Sequence, residues 1–405
     1  MFGTSRPLEG IKVLAIENFL AGPYCTMWLA DAGAEVVKVE PRGMGEMARN
    51  TSPLKQDEEG RARSLSLLRA NRNKKSVTLD LKNPEGRAVF LELAKESDIL
   101  VENLRAGAMD KLGLGYDALS KLNPALIYVG ISGFGQKNIL PSPYMEHPAF
   151  DIVGQALSGL MYRPERQDDR PTYLGFSLAD IEAGILGAHG ATLALIQRGR
   201  TGKGQMVDVS LYDACLILNE ISVAMFSGEK VKSKPGLHAV TAPFGSYQAK
   251  DGYIVIAVLG EHIWQRFCKA VDQPELVDDP RFKDGISRNQ ANDELTACFA
   301  PWLQARTQTE AVSDLIEAGV PASIVNDIDG VFDCPHVKAR EMLMTIDDPL
   351  WGEVKIVGNP IKMSDVPSVE AKLPPDLGQD TDAVLKSWLG KNEKEISSLR
   401  ESEAI

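Results

Sequence analysis

The feature that most constrains this chain is a strand–helix–strand rhythm that starts at its beginning. Ile11–Ile16 (IKVLAI) reads as a buried strand, and Gly22–Ala34 reads as a helix. Pro23 suits the first helical turn and Gly33 the stop. Glu35–Glu40 (EVVKVE) is the next strand, which completes one βαβ unit. A second unit follows as Ser76–Leu81, a helix from Pro84 to about Lys95, and Asp98–Asn103, with a further strand at Leu126–Gly133. Strands that alternate with helices in this way predict an α/β fold, a parallel sheet with helices on both faces and right-handed crossovers.

The later chain departs from this rhythm. An apolar helix is expected from about Leu178 to Gln197, with Gly184, Gly187 and Gly190 at three-residue spacing. Such a row lowers helix propensity, so it implies close approach to a neighbouring backbone. TGKGQ (Thr201–Gln205) reads as a tight turn into the strand MVDVSL and a helix from about Tyr212. It lacks the frame of a phosphate loop and precedes a strand rather than a helix. At Gly228 the charged stretch GEKVKSKPG marks a domain boundary. A β-hairpin turning at Lys250–Gly252 and helices near Ile263–Val271, Asn292–Ala305 and Thr309–Ala318 follow, then the strand EVKIV and a helical tail from about Asp380. The expected division is a large domain over 1–228, a small α+β domain over 229–330, and a segment over 331–405 that returns to complete the large domain.

Charge and composition narrow the function. The 405 residues carry 44 basic and 56 acidic side chains, a net charge of −12. That balance argues against nucleic acid or an anionic membrane as partner. The five cysteines (Cys25, Cys215, Cys268, Cys298, Cys334) form no CxxC pair, so neither a zinc site nor a disulfide framework is expected, and a reducing, cytoplasmic setting fits. No signal-peptide run is visible, and no stretch reads as a membrane span. The histidines (His147, His189, His238, His262, His336) show no metal spacing. There is no GxSxG elbow, and ENFLAGP stands where a dinucleotide-binding fold would carry GxGxxG.

Two places can carry chemistry. The polar stretch Arg49–Lys75 brings Arg69, Arg72, Lys74 and Lys75 together just before a strand. It is either a solvated loop or a phosphate-facing one, since ligands collect beyond strand ends in such sheets. The second is Ser177-Leu178-Ala179-Asp180, which has the order of a capping box, with Ser177 as N-cap. Asp180 then either serves the helix end alone or, held ionised by the helix dipole and amides, acts as a covalent nucleophile on an activated carbonyl. Local sequence is compatible with both.

Several segments in order resemble the class III CoA-transferase family: LEGIKVLAIENFLAGPYCTMWLADAGAEVVKVE, RNKKSVTLDLKNPEGR, DILVENLRAGAMDKLGLGYDAL, NPALIYVGISGFGQ, AFDIVGQALSGLM, and SLADIEAGILGAHGATLALIQRGRTGKGQMVDVSLYDA. The resemblance runs from about Leu8 to Leu389. It implies a Rossmann-like large domain with a smaller domain, two subunits interlocked as a homodimer, and acyl-CoA and a carboxylic acid as the reacting partners. No permanently bound cofactor is implied; coenzyme A enters as the acyl-CoA substrate. The resemblance places the catalytic aspartate at Asp180 and CoA near Ala21, Arg42, Arg72, Lys75, Asn103, Leu104, Lys111 and Lys137. Leu20 stands where formyl-CoA transferase has glutamine, and HAVTAPFGSYQ lacks that enzyme's glycine run, which points away from a formate–oxalate pair. Phe150 stands where related racemases carry histidine, which points away from racemization. The alternatives are an acyl-CoA racemase or epimerase of the same fold, and a non-catalytic CoA-binding protein.

Overall fold

The computed structural model describes residues 6–162, 170–230, 238 and 240–405. It divides into two compact units, Met1–Met161 with Tyr173–Asn219 and His336–Ile405, and Tyr162–Thr172 with Glu220–Pro335. The division falls after Asn219, ahead of Gly228. Most of the charged boundary stretch, 231–236, lies outside the described residues.

The first unit holds six strands: β1 (Lys12–Ile16), β2 (Glu35–Glu40), β3 (Lys75–Thr78), β4 (Ile99–Glu102), β5 (Ile127–Ser132) and β6 (Met206–Ser210). All neighbours pair in parallel, in the order β3-β2-β1-β4-β5-β6. This is the Rossmann order, with its switch point between β1 and β4. Successive side chains of a strand point to opposite faces, and both faces are buried. Val13, Ala15, Ile99 and Val101 enter one apolar cluster with helix α1 (Ala21–Asp31). Leu14, Val37, Val77 and Leu100 enter another with helix α2 (Pro84–Lys95). The returning tail closes this second face through Val384, Leu385, Trp388 and Ile396. It is tied to the edge of the sheet where the Asp380 carboxylate accepts the Ser76 amide at 2.9 Å.

Two further helices build the site: α3 (Asp151–Leu157) and α4 (Leu178–Thr201). The glycine row of α4 acts as its spacing implied. A Cβ at Gly184 would lie 2.9 Å from the Ala21 carbonyl oxygen, one at Gly187 2.9 Å from Ile131 Cδ1, and one at Gly190 2.6 Å from Val207 Cγ1. Without side chains at these positions α4 lies directly on α1 and on β5 and β6. By length and apolarity α4 is also long enough to cross a membrane, contrary to the expectation that no stretch would be. Its small-residue face, including Ala183, Gly184, Gly187 and Ala191, is buried in the first unit.

The second unit has an antiparallel three-stranded sheet of Phe244–Gln248, Tyr253–Ala257 and Ala322–Ile324, with Tyr253–Ala257 in the middle. The hairpin turns at Lys250–Gly252 as its sequence indicates. Trp264, Phe267, Phe282 and Phe299 form its core. In the first unit, the strand Gly352–Val357 pairs with Leu343–Asp348, a partner that the sequence pattern does not announce.

Replacing Gly184 by Val forces a side chain against the α1 backbone. It is expected to cost about 1–3 kcal/mol, the usual range for overpacking, read as a lowered urea midpoint with an unchanged slope.

Candidate active site

The start of α4 is not capped as its sequence suggests. Ser177 makes no side-chain capping bond. Asp151, the first residue of α3, does this instead: its Oδ1 accepts the amides of Ala179 at 2.7 Å and Asp180 at 3.4 Å. Its Oδ2 accepts Gln155 Nε2 at 2.7 Å, one turn along α3, and Tyr173 also bonds to the carboxylate. The capping-box reading of Ser177 and Asp180 is therefore corrected. A carboxylate from another helix occupies the N2 and N3 amides, and Asp180 is released from that duty.

This changes the charge state of Asp180. The sequence reading held it ionised at the helix start. Half-buried, it is instead pushed up to about 7, first by burial and then by the charge of Asp151, with Arg69 acting in the opposite direction. Burial raises Asp151 as well, against the amides that it caps. Two neighbouring carboxylates resist being ionised together. Near neutral pH, Asp180 is thus divided between acid and carboxylate.

Below α1 lies a buried ionic network. Lys74 Nζ donates to Glu17 Oε1 at 2.8 Å, to Pro23 O at 2.9 Å and to Asn71 Oδ1 at 3.1 Å. Lys38 Nζ donates to Glu46 Oε1 at 2.8 Å and to Asn71 Oδ1 at 2.9 Å. Burial works to raise Glu17, but Lys74 and Lys38 outweigh it and hold the carboxyl below its usual range. Burial brings Lys74 down to about 8 despite Glu17. Beside it, Asn103 clamps Asn18, accepting its amide at 2.8 Å and donating to its carbonyl at 2.9 Å. A Cβ at Gly22 would strike Asn103 Oδ1 at 2.8 Å, so the glycine of the AGP turn is what lets the two loops meet.

The eight residues expected near CoA do not form one group. Ala21, Arg42, Asn103 and Leu104 follow the carboxyl ends of β1, β2 and β4, and Lys111 and Lys137 lie in the segments that follow β4 and β5. Arg42 pairs with Glu403, and Lys137 pairs with Asp110 at 3.0 Å. Lys111 ends a short helix, exposed. The Leu104 amide is taken by Glu102 at 2.8 Å. Lys75 stands apart from these, and Arg72 is buried. Lys75 opens β3 in register with Val37, and its ammonium pairs at 2.6 Å with Glu35, which opens β2. It therefore sits at the amino-terminal edge of the sheet, on the opposite face from Lys74. Arg72 is buried against Asp31, with Nη2 at 2.6 Å and Nε at 3.0 Å, and also donates to Val357 O. Both cations are engaged by acidic partners, Lys75 by Glu35 and Arg72 by Asp31.

An apolar cavity of about 410 Å³ is bordered by Leu20, Met27, Leu68, Arg69 and Ile181, the residue that follows Asp180. The volume is that of a small-molecule site. Among the described residues no cluster of His, Cys, Asp or Glu could hold a metal ion. Asp151 as a helix-capping partner and Gln155 and Tyr173 as its supports were not foreseen. The Asp151/Gln155 spacing of one helical turn was the available signal.

A Rossmann-ordered sheet without a glycine-rich phosphate loop, and an Asp151–Asp180 carboxylate pair at a helix start close to a small apolar cavity, define the class: an α/β protein with a carboxylate site. The chain belongs to CoA-transferase family III, whose model matches residues 8–381. It is 38% identical over 371 residues to succinyl-CoA:mesaconate CoA-transferase of Haloarcula hispanica, covering 91% of this chain and 93% of that one. It is 33% identical over 399 residues to succinyl-CoA:glutarate CoA-transferase of Homo sapiens, covering 97% and 89%. Among solved structures, a CAIB/BAIF family protein from Brucella suis superposes with a TM-score of 0.81 at 31% identity, over 95% of this chain and all of that one.

The displaced proton equilibrium of Asp180 has a stability consequence. The unfolded chain releases this proton near 3.8 and the folded chain near 7. Across that window the folded state binds more protons, so the contribution of Asp180 to stability falls as pH rises. Asp180→Asn is therefore expected to be more stable than the parent above pH 7, with the difference vanishing towards pH 4. Thermal melts across that range check this.

Proposed function

We propose that this enzyme moves CoA from a dicarboxylyl-CoA such as succinyl-CoA to a free dicarboxylic acid, with Asp180 as the covalent nucleophile. The observation that carries the reading is a half-buried carboxyl relieved of capping by Asp151, whose chain neighbour Ile181 and charge partner Arg69 border a cavity of small-molecule size. The substrate class is taken from the named relatives, which act on succinyl-CoA with mesaconate or glutarate.

The carboxylate of Asp180 attacks the thioester carbonyl, and collapse of the tetrahedral intermediate expels CoA thiolate and leaves a mixed anhydride. The thiolate then attacks the aspartyl carbonyl, expelling the donor acid and leaving an aspartyl–CoA thioester. The acceptor carboxylate attacks this thioester and thiolate leaves again. Thiolate attack on the acceptor's acyl carbon releases the new acyl-CoA and restores Asp180. Every atom moved comes from the two substrates and Asp180, so the scheme needs no bound cofactor. Oxyanions need donors. The first amides of α4 are engaged by Asp151, whereas α1 has no side-chain cap, so the Ala21 and Gly22 amides at the AGP turn are the candidates. CoA's nucleotide would lie along the carboxyl-end loops that carry Arg42, Lys111 and Lys137, and lend its binding energy to the reacting end.

After incubation with acyl-CoA, a protein–CoA thioester is expected on the peptide containing Asp180, cleavable by hydroxylamine. Asp180→Asn should fold and bind acyl-CoA but lose transfer by orders of magnitude; near-normal exchange by this variant would sink the mechanism. Since only the carboxylate attacks, kcat/KM should rise with pH through about 7, and Asp151→Asn should move that rise to lower pH. We also propose a homodimer, because α4 exposes Ile185, Leu193 and Ile196. Sedimentation at micromolar concentration should show no monomer.

A further inference from the structure

The basic stretch Arg49–Lys75 is almost entirely neutralised from within. Arg49 pairs with Glu40, Arg61 with Asp57, Arg63 with Asp376, Arg72 with Asp31, Lys74 with Glu17 and Lys75 with Glu35. Lys55 lies over the Trp351 ring and donates to Leu350 O. Arg69 is the exception: its guanidinium makes no hydrogen bond or ion pair with any described residue. It is exposed, it borders the cavity beside Ile181, and the charge it acts on is that of Asp180. Arg72 and Lys355 also border this cavity, but Arg72 is held by Asp31, and Lys355 by Thr345 and Glu353.

We propose that Arg69 is a specificity-determining residue that receives the distal carboxylate of the acid substrate and so selects dicarboxylates over monocarboxylates. The inference deepens the reading of Asp180 as nucleophile and rests on it. An acid with one carboxylate presents that group to Asp180 and an alkyl chain to Leu20, Met27, Leu68 and Ile181. An acid with two must place a second full charge in the same apolar space, which is costly unless a cation meets it there. A guanidinium can do so through two parallel N–H···O bonds. An unpaired arginine at the rim of an apolar cavity therefore matches a ligand with a methylene middle and a charged far end. The same cation also offsets the repulsion between an incoming anion and the Asp151–Asp180 pair.

The test uses Arg69→Met, which keeps the volume of the wall, with Arg69→Lys as the conservative partner. Acceptor kcat/KM is measured for succinate and for butyrate, an acid of equal chain length with one charge, with the same acyl-CoA donor. The assay is run well above the pH at which transfer reaches its plateau, so that any shift of Asp180 ionisation cancels. The expected result for Arg69→Met is a loss of about tenfold or more for succinate, as for other sites that lose a partner to a buried polar group, with butyrate changed less than about threefold. Arg69→Lys should retain part of the preference. Three outcomes overturn the proposal: an equal loss for both acids, which makes Arg69 a partner of Asp180 alone; a raised KM for acyl-CoA whatever its acyl group, which makes it a phosphate contact; or a parent enzyme with no preference for succinate. Failure of the nucleophile reading shows separately, as absence of the Asp180 thioester in the parent enzyme.

Discussion

The site depends on how closely α4 can lie on α1. Helix axes normally stand 8–10 Å apart, at a distance set by the side chains between them. Here Gly184 leaves room for the Ala21 carbonyl, and Gly187 leaves room for Cys25 and Ile131. One turn before Gly184 on the same helix is Asp180, and Ala21 opens the AGP turn. The absence of a side chain at one position thus sets the spacing between the carboxylate and the amides proposed to stabilise its oxyanion. A larger residue would separate the two halves of the site before it disturbed either.

The second constraint is electrostatic. Asp151 takes up the helix-end amides, which are the donors that would otherwise hold Asp180 fully ionised. An anion placed there satisfies the helix and raises the carboxyl beside it. In the proposed mechanism, a carboxyl near 7 is a more basic nucleophile than an ordinary aspartate. Arg69 limits the rise. Its charge and that of Asp151 act on one group in opposite directions, so the charge state of Asp180 follows from three residues on three separate elements.

Beneath this, the Glu17–Lys38–Glu46–Lys74 network ties together the carboxyl-end loops of β1 and β2. Each ion is buried, and each is met by opposite charge or by Asn71, Thr26 or backbone groups. Removal of any one would leave an uncompensated charge in the interior, a loss of several kcal/mol. The AGP turn is therefore held by ionic order as well as by the apolar cluster that α1 enters.

Local periodicity was enough to determine the parallel sheet and its helices: β2 and α2 coincide with the segments read from sequence, and the glycine row of α4 announced its close packing. These depend on neighbours in the chain, and alternation or spacing records them. The sequence of S-x-x-D also placed Asp180 at a helix start. What it could not decide was which group caps that helix, because Asp151 reaches the Ala179 amide from 28 positions away. Nor could it tell Lys74 from Lys75, or Arg69 from Arg72, since all four are cations in one polar stretch. Their fates part only when strand alternation sends Lys74 inward and Lys75 to Glu35, and when Asp31 at the end of α1 meets Arg72 but not Arg69. Ionisation and partner choice are set by desolvation and by charges distant in sequence, and those exist only once the chain is folded.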